Sequence, residues 1–146
     1  MKFSFSQRSK DRLKGVHPVL VDIVDLTLGT GIMDFGVYEG VRAIEQQQIY
    51  FDTGRTTTMN SKHLVQPDGF GHAVDLYPYP INMKKVNQGN AQEIVRFGVL
   101  AGIMKTMALR ITSEYFIRWG GDWDSDGQTL DHSFFDAMHF EIRRKT

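Results

Sequence analysis

The chain has 146 residues, 41% of them hydrophobic and 23% charged, which predicts one globular domain with a sizeable core. Seventeen basic residues balance seventeen acidic ones, so no net field draws the protein to nucleic acid, and no basic stripe or aromatic–basic interleaving marks such a surface. Cysteine is absent, which excludes disulfides and any thiolate metal site and leaves only nitrogen and oxygen ligands.

Residues 1–14 carry charge but lack the apolar run of a signal peptide. The next apolar stretch, 16–28, is interrupted by Asp22 and Asp25 and is too short to span a bilayer. The expectation is a product that stays in the cytoplasm of the cell that makes it, without stable membrane association. Residues 18–28 read as a helix, with Pro18 suited to its first turn, Gly29 to its end, and Leu20, Ile23, Val24 and Thr27 as its apolar face. Residues 34–42 read as a strand with Phe35, Val37 and Val41 on one face and Tyr38, Gly40 and Arg42 on the other. A helix over 43–53 is stopped by Gly54, with Gln48 on its surface or in a supporting role, and 55–60 form a polar loop.

A second strand is expected over 71–77, after which the Tyr77-Pro78-Tyr79-Pro80 run must leave regular structure. The longest helix falls over 91–109, with Asn90 and Glu93 in a capping arrangement. Its core stripe is Ile94, Phe97, Ala101, Met104 and Ala108, and its methionines read as packing. Strands follow at 115–119, ended by Gly120-Gly121, and at 138–143. No repeat, linker or second domain is visible. The fold class is α+β: a small, mostly antiparallel sheet packed with helices, one compact domain over 1–146.

Two stretches concentrate metal chemistry, residues 61–75 and 136–141. A catalytic zinc takes three ligands from His, Asp or Glu and leaves its fourth position to water, whose pKa it lowers to about 7. A further carboxylate must take the water's proton and pass it to the leaving amine. His63, Asp75 and His139 suit the ligand roles and Asp136 the base. Strand alternation places Gly71, Ala73 and Asp75 on one face and His72 on the other, which removes His72 from the site. It also puts His139, Glu141 and Arg143 together, with Met138, Phe140 and Ile142 toward the core. Glu141 then competes as base or supports His139 from behind. His17, His72 and His132 receive no role.

Ser61-x-His63, Gly71-x-Ala73-x-Asp75 and Asp136-x-x-His139, in that order and spacing, resemble the signature of the VanY/VanX-type zinc peptidases, a group that includes D-Ala-D-Ala carboxypeptidases and phage L-alanyl-D-glutamate endopeptidases. The resemblance spans about 16–142, with 65–70 as a short insertion carrying the turn-like Pro67-Asp68-Gly69. It implies one zinc held by His63, Asp75 and His139, a proton shuttle at Asp136, and a peptidoglycan stem peptide as substrate. Arg42 matches the family's arginine-bearing strand, where a planar fork suits a substrate carboxylate. The other reading of Arg42 is an ion pair with Glu39 or Glu45. Ser61 either bonds the substrate or shapes its loop.

The function this implies is that of a phage endolysin cleaving the L-alanyl-D-glutamate bond, acting on the wall after release through the inner membrane. It would be a monomer with no separate wall-binding domain. The alternatives are a D-Ala-D-Ala carboxypeptidase on the same metal centre and a non-catalytic zinc-binding module. A separate cluster, Asp122, Asp124 and Asp126 before Gly127, with Asp131 following, resembles the start of a calcium loop, but Ser133 stands where the closing glutamate belongs. It reads as a solvated acidic turn, with calcium as the alternative.

Overall fold

The structure, a computed structural model, describes residues 2–129 and 135–146. Among them the chain runs α1 (Gln7–Arg12), α2 (Pro18–Gly29), β1 (Phe35–Glu39), α3 (Ile44–Asp52), β2 (Ala73–Pro78), α4 (Met83–Asn87), α5 (Ala91–Ile111), β3 (Tyr115–Trp119) and β4 (His139–Arg144). The sequence points noted at Asp131, His132 and Ser133 lie outside the described residues.

The four strands form one antiparallel sheet in the order β1-β2-β4-β3. The C-terminal strand therefore inserts between β2 and β3, and this brings the two stretches of candidate metal ligands side by side. Residues directly opposite in an antiparallel pair share a face. Val37 opposes Leu76, Val74 opposes Phe140, and Ile117 opposes Ile142, all buried. Against this face pack Leu20, Ile23 and Val24 of α2 and Phe97, Leu100 and Met104 of α5. The opposite face carries Asp75 beside His139, Ala73 beside Glu141, and Arg118 beside Glu141.

The local rules explain most elements. Pro18 opens α2, whose expected face of Leu20, Ile23, Val24 and Thr27 is buried. Asn90 caps α5 by accepting the backbone N–H of Glu93 at 3.0 Å. In its stripe Ile94 is only half-buried, and Leu100 is buried with the rest. The short helices α1 and α4 carry too few turns for a periodic signal, and they start at the side-chain caps of Ser6 and Asn82.

The first strand is shorter than its alternation suggests. Its register shifts between Val37 and Glu39. Gly40 then passes so close to α1 that a Cβ there would meet the Arg12 carbonyl oxygen at 1.9 Å. Pairing ends at this point, and the Arg42 N–H turns to the His63 carbonyl at 2.9 Å. The second strand begins at Ala73 and continues through Pro78, with a cis Tyr79–Pro80 bond beyond it. No helix among the described residues is long and apolar enough to cross a membrane.

Phe97 of α5 is fully buried in the hydrophobic core. Phe97→Ala is expected to lower the unfolding free energy by about 3–5 kcal/mol, read by urea denaturation, and a loss below about 1 kcal/mol would contradict this packing.

Candidate active site

His63 follows the turn built by Ser61, whose Oγ accepts the His63 backbone N–H at 3.2 Å. Its imidazole Nδ1 lies 2.8 Å from the Gly40 carbonyl. A carbonyl only accepts, so Nδ1 carries the proton and the lone pair of Nε2 points inward, 3.2 Å from Asp75 Oδ1. On β4, His139 Nε2 is 2.7 Å from Glu141 Oε1, which leaves Nδ1 facing inward at 3.6 Å from the same Asp75 oxygen. The two rings meet edge to face with centroids 5.1 Å apart. One ligand atom from each of His63, Asp75 and His139 lies within 4.8 Å of the others.

Burial would raise the Asp75 carboxyl, but contacts with His139 and His63 hold it well below the usual carboxylate range. Burial likewise disfavours the His139 imidazolium, yet Asp75 and Glu141 outweigh it and push its pKa up to about 9. Glu141 is lowered against its burial by His139, Arg143 and Arg118. A largely buried carboxylate thus faces two inward nitrogens whose outer nitrogens are already tied. Two imidazoles and one carboxylate form a donor set suited to a first-row divalent metal.

Asp136 lines the same cleft as these three residues. Burial and the neighbouring Asp75 charge push its carboxyl upward. Its position is set by Gly120, whose carbonyl accepts the Asp136 N–H at 2.9 Å and whose own N–H reaches the His139 carbonyl at 2.8 Å. A Cβ at Gly120 would meet the Asp136 carbonyl oxygen at 2.2 Å, so only glycine permits this approach.

Arg42 also lines the cleft, and it is engaged. It donates from Nε to Glu39 Oε1 and from Nη1 to Gln47 Oε1 at 2.7 Å, with its guanidinium 4.9 Å from the Tyr50 ring centroid. The Glu39 pairing matches one of the two readings drawn from sequence. Ser61 shapes its loop, as described, and borders the cleft.

Gln47 is the supporting residue that sequence reasoning missed. It is fully buried and joins Arg42 to the Thr58 carbonyl, which Gln47 Nε2 reaches at 2.7 Å. Gln48, expected on the surface or in support, is exposed and bonds Asp52. The run 45–48 has no periodicity that distinguishes Gln47 from Gln48. Trp123, whose ring lies 5.4 Å from that of His139, was not singled out either, because the contact depends on tertiary approach alone.

His72 faces away from the cleft, as the alternation implies. It bonds Asp68 of the 65–70 insertion at 2.7 Å, and His17 Nε2 approaches the same carboxylate at 3.7 Å. These three also lie within metal-binding range of one another. His17, however, accepts the Val19 N–H at Nδ1 to cap α2, so its Nε2 holds the proton and is no ligand in this state. Asp122 of the acidic cluster accepts the N–H groups of Asp126 and Gly127 and lies 3.2 Å from the Lys105 ammonium, so it already has its positive partner.

The cleft is open and has a volume of about 620 Å³, room for an extended peptide. The family model for phage L-alanyl-D-glutamate peptidases matches residues 1–143. The chain belongs to this family. Among solved structures, the L-Ala D-Glu endopeptidase ChiX of Serratia marcescens is similar, with a TM-score of 0.71 and 29% identity over 97% of this chain and 91% of that one. No curated protein sequence matches it. The protein is a peptidase acting on peptidoglycan, which sets aside the reading of a non-catalytic binding module.

Gly120→Ala is expected to displace Asp136 and lower peptidase activity by about 100-fold while His63, Asp75 and His139 keep their arrangement, measured by turnover and metal content together. Glu141→Gln removes the carboxylate behind His139 and is expected to weaken metal affinity by about 10–100-fold in a chelator competition assay.

Proposed function

We propose that the protein is a zinc-dependent endopeptidase that cuts the L-alanyl-D-glutamate bond of peptidoglycan stem peptides. The observation that carries the reading is the pair of inward nitrogens on His63 and His139 converging on Asp75 in a chain of this family. His63, Asp75 and His139 would hold the ion. When bound, zinc supplies Lewis acidity, which acidifies water and polarises the scissile carbonyl.

The remaining work belongs to the chain. Gly40 and Glu141 fix which nitrogen each histidine presents. Asp136, with its carboxyl pushed above the ordinary range, takes a proton from the attacking water and returns it to the departing D-glutamate amine. Arg42, locked to Glu39 and Gln47, holds the strand end whose backbone supports His63 and presents its remaining N–H groups to the substrate. Ser61 fixes the entry to His63 and borders the substrate path. All of these groups lie in one chain, which supports action as a monomer. The phage character of the family supports synthesis inside the host and access to the wall once the inner membrane is opened.

The test is mass spectrometry of muropeptides after digestion by the zinc-loaded protein. The expected product keeps L-alanine on muramic acid and exposes a new D-glutamate amino terminus. Release of terminal D-alanine alone would move the activity to a D-Ala-D-Ala carboxypeptidase. Asp136→Asn is expected to lose about 10²–10⁴-fold in rate while retaining zinc, and an unchanged rate would remove Asp136 from proton transfer.

A further inference from the structure

The cations around the cleft differ in how far their charge is already matched. Arg42 pairs with Glu39. Arg118 and Arg143 both face Glu141, at 3.7 and 2.9 Å. Arg55 borders the same cleft, is exposed, and has no carboxylate within ion-pair distance among the described residues. It is nevertheless not a loose side chain. Its guanidinium lies 4.7 Å from the Tyr50 ring centroid, and its backbone N–H bonds the Tyr50 carbonyl at 2.8 Å, so Tyr50 braces both ends of the residue.

The loop that carries Arg55 is built as a wall. The Thr58 carbonyl is clamped by the buried Gln47, and Thr58 Oγ1 accepts the Asn60 N–H at 2.9 Å. Thr56, Thr58, Asn60 and Ser61 border the cleft along with Arg55. A guanidinium stacked on an aromatic ring keeps its in-plane N–H groups available, and those groups match a carboxylate by two parallel bonds. Lys62 also borders the cleft, but its ammonium is a point charge on a flexible stem and reaches Gln66 at 3.5 Å.

We propose that Arg55, braced on Tyr50, is a specificity-determining residue that receives the free carboxylate of the D-glutamate residue, making the enzyme selective for stem peptides in which that carboxylate is not amidated. This rests on the endopeptidase reading above, because cleavage at that bond places the D-glutamate carboxylate on the carbon bearing the scissile nitrogen, whereas the D-Ala-D-Ala bond lies further along the stem. The free acid offers Arg55 a charge and two acceptor oxygens, whereas the primary amide offers one acceptor and no charge.

The experiment compares kcat/KM on two stem peptides identical except for a free carboxylate or a primary amide on D-glutamate, using zinc-loaded wild-type, Arg55→Gln and Lys62→Gln proteins. Arg55 is exposed, so its substitution leaves the core intact, and thermal melting verifies this. The wild type is expected to favour the acid by about tenfold or more. Arg55→Gln should bring the ratio near one, mainly through KM, with Arg55→Lys restoring part of it, while Lys62→Gln keeps the wild-type ratio. A wild-type ratio near one, a ratio that survives Arg55→Gln, or one that collapses in Lys62→Gln instead would overturn the proposal. If the wild type cuts neither peptide at L-alanyl-D-glutamate but releases terminal D-alanine, the bond assignment itself fails, a result distinct from an unchanged ratio.

Discussion

Asp75 and His139 are Cα partners across β2 and β4, and a slip of β4 by one residue would turn His139 from the cleft into the core, away from Asp75. The same alternation that aims Asp75 and His139 outward aims Val74 and Phe140 inward, where neither is accessible to solvent. Core and site are therefore two faces of one register. The hydrophobic face opposes such a slip, because it would bury Glu141 and expose Phe140 and Ile142. The cost of placing Asp75 in a largely buried position is offset by the two imidazoles facing it.

Around this pairing the site is supported from behind. Gly40 and Glu141 occupy the outer nitrogens of the two histidines, so each ring presents a defined atom inward. Arg42 and Gln47 join the end of β1 to the loop over 55–61, and Gly120 seats Asp136 against the backbone of His139. Glu141 acts within the strand of His139, whereas Gly40 and Gly120 reach His63 and Asp136 from segments further away in sequence. Rigidity at the cleft is thus a property of the assembled sheet rather than of any one motif.

That distinction explains what could be read from the sequence. The helices α2 and α5 announced themselves through periodic apolar faces and end signals, because their burial follows a local repeat. Alternation placed Asp75 with Ala73, His139 with Glu141, and His72 on the opposite side, which is how the sheet arranges them. It failed past Glu39, where a register shift and the contact of Gly40 with Arg12 end the strand. Gln47 and Trp123 left no local trace, since their roles depend on which distant groups approach them. His63, Asp75 and His139, whose ligand atoms the fold brings within 4.8 Å of one another, could be singled out because residue type and spacing constrain them. Glu141 could be placed behind His139 by strand alternation, whereas Gln47 could not, because any polar residue in a helix looks alike until the fold closes.

We propose that His63, Asp75 and His139 hold one divalent metal. Zinc stoichiometry of the purified protein, combined with X-ray absorption at the zinc edge, tests it most directly. One zinc per chain is expected, with two imidazole nitrogens and oxygen scatterers, lost in His63→Ala and His139→Ala and retained in His72→Ala. Zinc that survives loss of His63 and His139, or disappears with His72, would contradict it and move the metal to the opposite side of the strand.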